Sequence, residues 1–215
     1  MLFGTKRNSY LTIEGSTVTD FEEFSCKDRN VILPEYITVI GDGAFANSSV
    51  NNINFPRGLT RIGRYAFSKV WGLTDVTLPY GVRYIDEGAF SGCRDLERIF
   101  IPDSVEYIGP NVFQDCHNLR SVRLPSGIKE IPAAAFERCY SLLGVDIPVG
   151  VEYIRAFAFS HSGIRSMAIP RSVRNIAAQH LFAGCNDLGY LNISSGFRHI
   201  EHLLELPSGC EISYY

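Results

Sequence analysis

Between Gly88 and Ile108 the chain reads GAFSGCRDLERIFIPDSVEYI. From Asn111 it reads NVFQDCHNLRSVRLPSGIKEI, and from Ala134 AAFERCYSLLGVDIPVGVEYI, so three successive stretches are copies of one unit. Working outward, the unit continues in both directions. Phenylalanines fall at Phe45, Phe67, Phe90, Phe113, Phe136, Phe159 and Phe182, and prolines at Pro34, Pro56, Pro79, Pro102, Pro125, Pro148 and Pro170, each set spaced 22 or 23 residues apart. Two unrelated residue types held in phase over seven copies establish an internal repeat, and periods of this length mark solenoids rather than compact folds.

Each slot of the unit has a physical reading. The alternating pairs Val76/Leu78, Ile99/Ile101, Val122/Leu124 and Val145/Ile147 predict a short strand with one buried face. The proline that follows lacks an amide donor and closes the strand. A second extended piece places Val82 and Ile85, Val105 and Ile108, or Val151 and Ile154 inward; a spacing of three does not suit a flat strand, so a bent or partly paired segment is expected. The Ala-Phe-x-x-Cys step, as in Ala89, Phe90 and Cys93, suggests a helical turn with Phe and Cys on one side. No single unit can bury its Phe, Leu, Val and Ile alone, so the copies must stack as one domain.

The Pro-terminated unit and its Ile62-Gly63-Arg64-Tyr65-Ala66-Phe67 step resemble the BspA-like (Treponema pallidum-type) leucine-rich repeats over about residues 31 to 200. The resemblance implies a right-handed, curved β-rich solenoid of about seven units of 22 to 24 residues with short helical turns and terminal caps. Residues 1–30 would form the N-terminal cap, with Leu11 to Phe24 opening on the strand Tyr10-Leu11-Thr12-Ile13-Glu14-Gly15, and residues 201–215 a C-terminal cap or tail containing a short helix over Glu201 to Leu206. The pattern departs from general leucine-rich repeats where Ser104 or Gly127 replaces the usual Asn or Cys, so an asparagine ladder is not expected. Members of this family are often cell-surface repeat proteins that bind host proteins or other cells. The implied function is a non-enzymatic, adhesin-like binding module at the cell surface or secreted; a glycan-binding repeat protein and an intracellular scaffold stand as alternatives.

Composition narrows the partners. With 46% hydrophobic residues and a formal net charge of −3, the 215-residue chain has no basic excess for nucleic acid. Its apolar runs are too short to cross a bilayer, so no membrane insertion within the chain is expected, and MLFGTKRNSY has no apolar core of a signal peptide. Four of the six cysteines, Cys93, Cys116, Cys139 and Cys185, occupy one slot that elsewhere holds Ser48, Val70 and Ser162, which predicts a small buried position; Cys26 and Cys210 lie at opposite ends. The cysteine spacing gives no zinc pattern, no catalytic motif occurs, and His199, Glu201, His202 and Glu205 form the one local His/acid cluster, best read as a solvated helix end. No cofactor and no catalysis are expected.

What remains for recognition lies in the outward slots. One strand ladder reads Asn54, Thr77, Phe100, Arg123, Asp146, Ala168, Asn192, and its companion Asn52, Asp75, Arg98, Ser121, Gly144, Ser166, Tyr190. Phe100 beside Arg98 and Arg123, with Asp75 and Asp146 nearby, has the composition of an interface anchor for a protein partner. In the second piece, one slot alternates in sign through Arg83, Glu106, Lys129, Glu152 and Arg174, which would fix the register. The next slot carries Tyr84, Tyr107 and Tyr153, an aromatic stripe that suits ladder packing or contact with a protein or glycan.

Overall fold

The computed structural model describes residues 6–8, 10–22 and 29–215. Phe24 and Cys26 lie outside the described residues. The chain winds into a β-solenoid of about eight turns. At its start β1 (Lys6–Asn8), β2 (Leu11–Glu14) and β3 (Thr17–Phe21) form an antiparallel meander. Leu11, Ile13, Val18 and Phe21 of this meander bury their side chains in the common core.

All later strands pair in parallel, one per turn, in two rows. The longer row holds β4 (Asn30–Ile32), β6 (Asn52–Asn54), β8 (Asp75–Thr77), β10 (Arg98–Phe100), β12 (Ser121–Arg123), β15 (Ser166–Ala168), β17 (Tyr190–Ile193) and β18 (Glu211–Tyr214). The register matches the sequence repeat: Asp75, Arg98 and Ser121 are neighbours, as are Thr77, Phe100 and Arg123. The shorter row holds β5 (Val39–Ile40), β7 (Arg61–Ile62), β9 (Tyr84–Ile85), β11 (Tyr107–Ile108), β13 (Glu130–Ile131), β14 (Tyr153–Ile154) and β16 (Asn175–Ile176). In each Val-x-x-Ile piece the first residue stays out of the pairing, because Val82, Val105, Val151 and Val173 donate to the preceding Pro carbonyl at 3.0–3.2 Å, whereas the next amide, as of Arg83 and Glu106, already reaches the preceding turn.

The Ala-Phe-x-x-Cys step differs from the expected helical turn. Its amides alternate: Gly88, Phe90 and Gly92 donate to Pro110, Val112 and Gln114 of the next turn at 2.7–3.0 Å, whereas Ala89, Ser91 and Cys93 fold back on Asp86, Gly88 and Phe90 at 2.9–3.2 Å. The alternation needs left-handed residues four positions apart, and every copy supplies them: Tyr65 and Lys69, Gly88 and Gly92, Asn111 and Asp115, Ala134 and Arg138, Phe157 and His161 all have positive φ. Side chains other than glycine are strained there. The step is therefore a third inter-turn ladder rather than a helix. The one helix among the described residues is a 3-10 segment over Ser195–Leu203, displaced from the expected Glu201–Leu206.

The core is a set of ladders. The seven repeat phenylalanines are fully buried, and their rings stack in sequence with centroids 5.2–5.9 Å apart, from Phe45 to Phe182. Such offset ring pairs contribute about 0.5–1.5 kcal/mol each beyond area burial. The four slot cysteines are buried free thiols. Each donates to the carbonyl of the Phe 26 residues earlier: Cys93 to Phe67, Cys116 to Phe90, Cys139 to Phe113 and Cys185 to Phe159, at 2.9–3.1 Å. In the same slot the Ser48 hydroxyl donates instead to the Phe45 carbonyl of its own turn at 2.6 Å.

Both rows of strands are interrupted, the longer one between β6 and β8 and again at residues 144–147, the shorter one between β11 and β13; residue chemistry accounts for the last two. In the shorter row Gly63, Asp86, Gly109, Arg155 and Ala177 donate to the preceding turn at 2.8–3.0 Å; Pro132 occupies the same slot, has no N–H, and no pairing joins β11 to β13. In the longer row Gly144 replaces a side-chain-bearing strand residue, and residues 144–147 form no strand and no backbone hydrogen bond to either neighbouring turn. Gly144 and Asp146, expected as members of the outward strand ladders, therefore stand in an irregular segment.

Candidate recognition surface

Four of the expected contact residues come together. On β8, β10 and β12 the outward side chains Asp75, Arg98, Phe100 and Arg123 line one shallow groove of about 280 Å³. Phe100 is 41% exposed, because its strand neighbours Ile99 and Ile101 take the inward positions and leave it facing out. The arginines beside it are fixed by acids of neighbouring turns. Arg98 Nε donates to Asp75 Oδ1 at 2.6 Å. Arg123 Nη2 donates to Asp103 Oδ2 at 2.6 Å, its Nη1 donates to the Ile101 carbonyl at 2.9 Å, and its guanidinium lies 4.9 Å from the Phe100 ring centroid. The Ser126 amide completes this network by donating to Asp103 Oδ1 at 2.7 Å.

These contacts set the charge state of the acids. The Arg98 hydrogen bond holds the Asp75 carboxyl below its usual range. Arg123, then the Ser126 amide, bring Asp103 down to about 2. Asp103 was not among the residues singled out by slot alignment, since it lies in a turn position and reaches Arg123 diagonally across the stack. The signal was present as an acid directly after Pro102, one turn before Arg123.

The other expected residues are placed differently. Asp146 lies in the irregular segment, in a separate groove of about 550 Å³ with Arg120, Ser121, Ser166 and Tyr190. Tyr84 and Tyr107 are in register on β9 and β11, each 43% exposed, yet no ring contact joins them. Tyr153 is cut off from Tyr107 by the break at Pro132. The Arg155 guanidinium covers its ring at 5.1 Å and also holds Glu130 through contacts of 2.6 and 2.8 Å. The tyrosine stripe is therefore two separate pieces rather than a self-stacked ladder, with a cleft of about 260 Å³ between Tyr107 and Tyr153.

The alternating charges form only in part. Arg83 meets Glu106 at 3.0 Å, and Glu152 lies between Lys129 at 4.0 Å and Arg174 at 3.9 Å; Glu106 and Lys129, on opposite sides of the Pro132 break, do not pair. Exposed pairs of this kind contribute little to stability. Stronger geometry runs diagonally, as in Arg61 to Asp86 at 2.7 Å, where the hydrogen bond to Asp86 raises the Arg61 pKa. The His/acid cluster is also rearranged: Glu205 pairs with His180 at 2.8 Å rather than with His202. Among the described residues no three His, Cys, Asp or Glu come together as a metal-binding group, and no helix is long and apolar enough to cross a membrane.

Parallel ladders of Leu, Val and Ile, one strand per turn, with a fixed outward patch, define a leucine-rich repeat solenoid, a class whose members typically serve in protein interaction. The chain belongs to the BspA-type leucine-rich repeat family, whose model matches in six copies over residues 17–143 and 106–204. Among solved structures, a leucine-rich repeat protein from Bacteroides ovatus is similar at 26% identity and TM-score 0.67, covering 86% of this chain and 54% of that one. One from Bacteroides capillosus has 31% identity and TM-score 0.51, covering 55% of this chain and 96% of its own. One from Eubacterium ventriosum, at 21% identity, TM-score 0.60 and coverage of 75% and 50%, shares the fold. This chain thus spans about half the length of the Bacteroides ovatus protein. No match was found among curated proteins.

Proposed function

We propose that the chain is a protein-binding module whose recognition patch is the strand face around Phe100, Arg98 and Arg123. The carrying observation is the immobilised aromatic: Phe100 is 41% exposed, Arg123 lies against its ring, and both flanking arginines are held by acids. Binding hot spots favour aromatic and Arg side chains, and residues already ordered lose less entropy on association. An adhesin-like role at a cell surface or in secretion is the form of this reading that the family resemblance favours.

The patch is separable from the core, which makes it testable. With a partner identified by affinity capture, the variant carrying Arg98→Ser, Phe100→Ala and Arg123→Ser is expected to lose binding by at least about tenfold while its thermal midpoint stays close to that of the parent chain. Unchanged affinity in a folded variant would overturn the proposal.

A further inference from the structure

The groove at residues 144–147 differs from the Phe100 patch in one decisive respect: its charged side chains have no partners within the protein. Around Phe100 each arginine is tied to an acid. In the second groove the side chains of Arg120 and Asp146 are exposed and make no ion pair or hydrogen bond, and the same holds for the backbone of Gly144 and Asp146. Ser121 and Ser166 project between them from β12 and β15, and Tyr190 of β17 is exposed at the far side. The cause is the missing pairing of one turn, which leaves strand-type donors and acceptors facing a groove of about 550 Å³.

We propose that this groove is a binding site for an uncharged oligosaccharide. A sugar hydroxyl both donates and accepts, so a sugar site needs donors and acceptors interleaved at close range. Arg120 supplies a planar fork of donors, Asp146 acceptors, the two serines both, and the unpaired backbone both. One cation and one carboxylate leave the groove without a net charge to favour an ionic ligand. The Tyr190 ring offers a flat apolar face for the C–H side of a pyranose, the remaining requirement of such a site. A polypeptide partner fits less well here. The apolar floor residues Val145, Ile147 and Met167 are almost wholly buried, so apart from the Tyr190 ring at its edge the groove offers no apolar pocket for peptide side chains. The groove meets the proposed protein-binding patch only at Ser121, and its own charged and aromatic residues let it be tested separately.

The test is an amide NMR titration of the full chain with cellotetraose, maltotetraose and chitotetraose, each to ~10 mM, a ceiling set by the millimolar range of weak sites. For at least one sugar, saturable shifts are expected at Gly144, Asp146, Ser166 and Tyr190 and not at Phe100. Asp146→Ala and Tyr190→Ala should each weaken that binding at least about tenfold, whereas Phe100→Ala should leave it unchanged. All three changes are at exposed side chains, and the spectrum of each variant reports its fold directly. Absence of saturable shifts with all three sugars would overturn the proposal. So would shifts centred elsewhere, an Asp146→Ala variant that binds as the parent does, or capture of a dodecapeptide from a random library by this groove in place of sugar.

Discussion

Replacing Phe113 by Ala removes a ring from the middle of the stack, where it lies 5.9 Å from Phe90 and 5.7 Å from Phe136. The side chain is completely buried, so the variant loses its transfer free energy and leaves a cavity that the preceding turn, pinned to it by three hydrogen-bonded ladders, can close only in part. Core Phe→Ala changes cost about 3–5 kcal/mol, and this site belongs in the upper half of that range because two ring contacts are lost together. Phe182 supplies the control. It is equally buried but meets only Phe159 in the ring stack, at 5.8 Å. Phe182→Ala should therefore cost less, by one ring contact of about 0.5–1.5 kcal/mol. Urea denaturation followed by circular dichroism measures both. Because each turn touches only its neighbours, the Phe113 variant should also unfold less cooperatively, with a lower m-value or two phases. A loss below ~1 kcal/mol for Phe113→Ala, or a larger loss at Phe182 than at Phe113, would refute the nearest-neighbour account of stability.

Three further expectations follow from particular contacts. Burial raises the Cys116 thiol and brings Cys93 up to about 12, so mass-spectrometric mapping of alkylation at mild alkaline pH should leave Cys93, Cys116, Cys139 and Cys185 unmodified until the chain unfolds. Because unfolded thiols ionise near 9.0 and the folded Cys93 only near 12, stability should fall as pH rises through that window; flat stability across it would contradict the burial. Asp103 runs in the opposite sense: its folded value of about 2 lies below the ordinary 3.8, so its contribution is complete above pH 4 or so and is lost as pH falls toward 2. Carbon-detected NMR should find that midpoint, and Arg123→Ala should move it upward. Finally, Gly88 has φ +59° and a Cβ there would meet the Tyr65 ring at 2.3 Å, so Gly88→Ala should destabilise by about 1–2 kcal/mol, with Tyr65→Ala recovering part of the loss in a double-mutant cycle.

Most of the fold was legible because the ladders act between equivalent slots. Phe90 stacks on Phe67 and Arg98 pairs with Asp75 for the same reason that they align in sequence, so slot alignment amounts to a contact map. The step around Ala89-Phe90-Cys93 was misread as helical because an i to i+3 return is common to a helical turn and to one interrupted by left-handed residues; the bonds to the next turn decide between them. Two interruptions were written in the sequence, at Pro132, which cannot donate, and at Gly144, which weakens a strand, yet slot averaging smooths over single exceptions. Diagonal contacts were hidden for a related reason. Arg61 with Asp86, Glu130 with Arg155, and Arg123 with Asp103 join different slots on different turns, and no comparison of like with like reveals them. Of the candidate recognition residues, Asp75, Arg98, Phe100 and Arg123 lie in one place as their spacing implied, while Asp146 and the split tyrosine stripe follow the interruptions.

The central claim, recognition through the strand face, is tested most directly by site-specific photo-crosslinking. With a benzophenone amino acid at Phe100 and, in a second sample, at Tyr65 on the turn face, exposure to the captured partner should give an adduct from position 100 alone. That adduct should disappear when Arg98 and Arg123 are changed to Ser. Adduct formation from position 65 with none from position 100 would contradict the account.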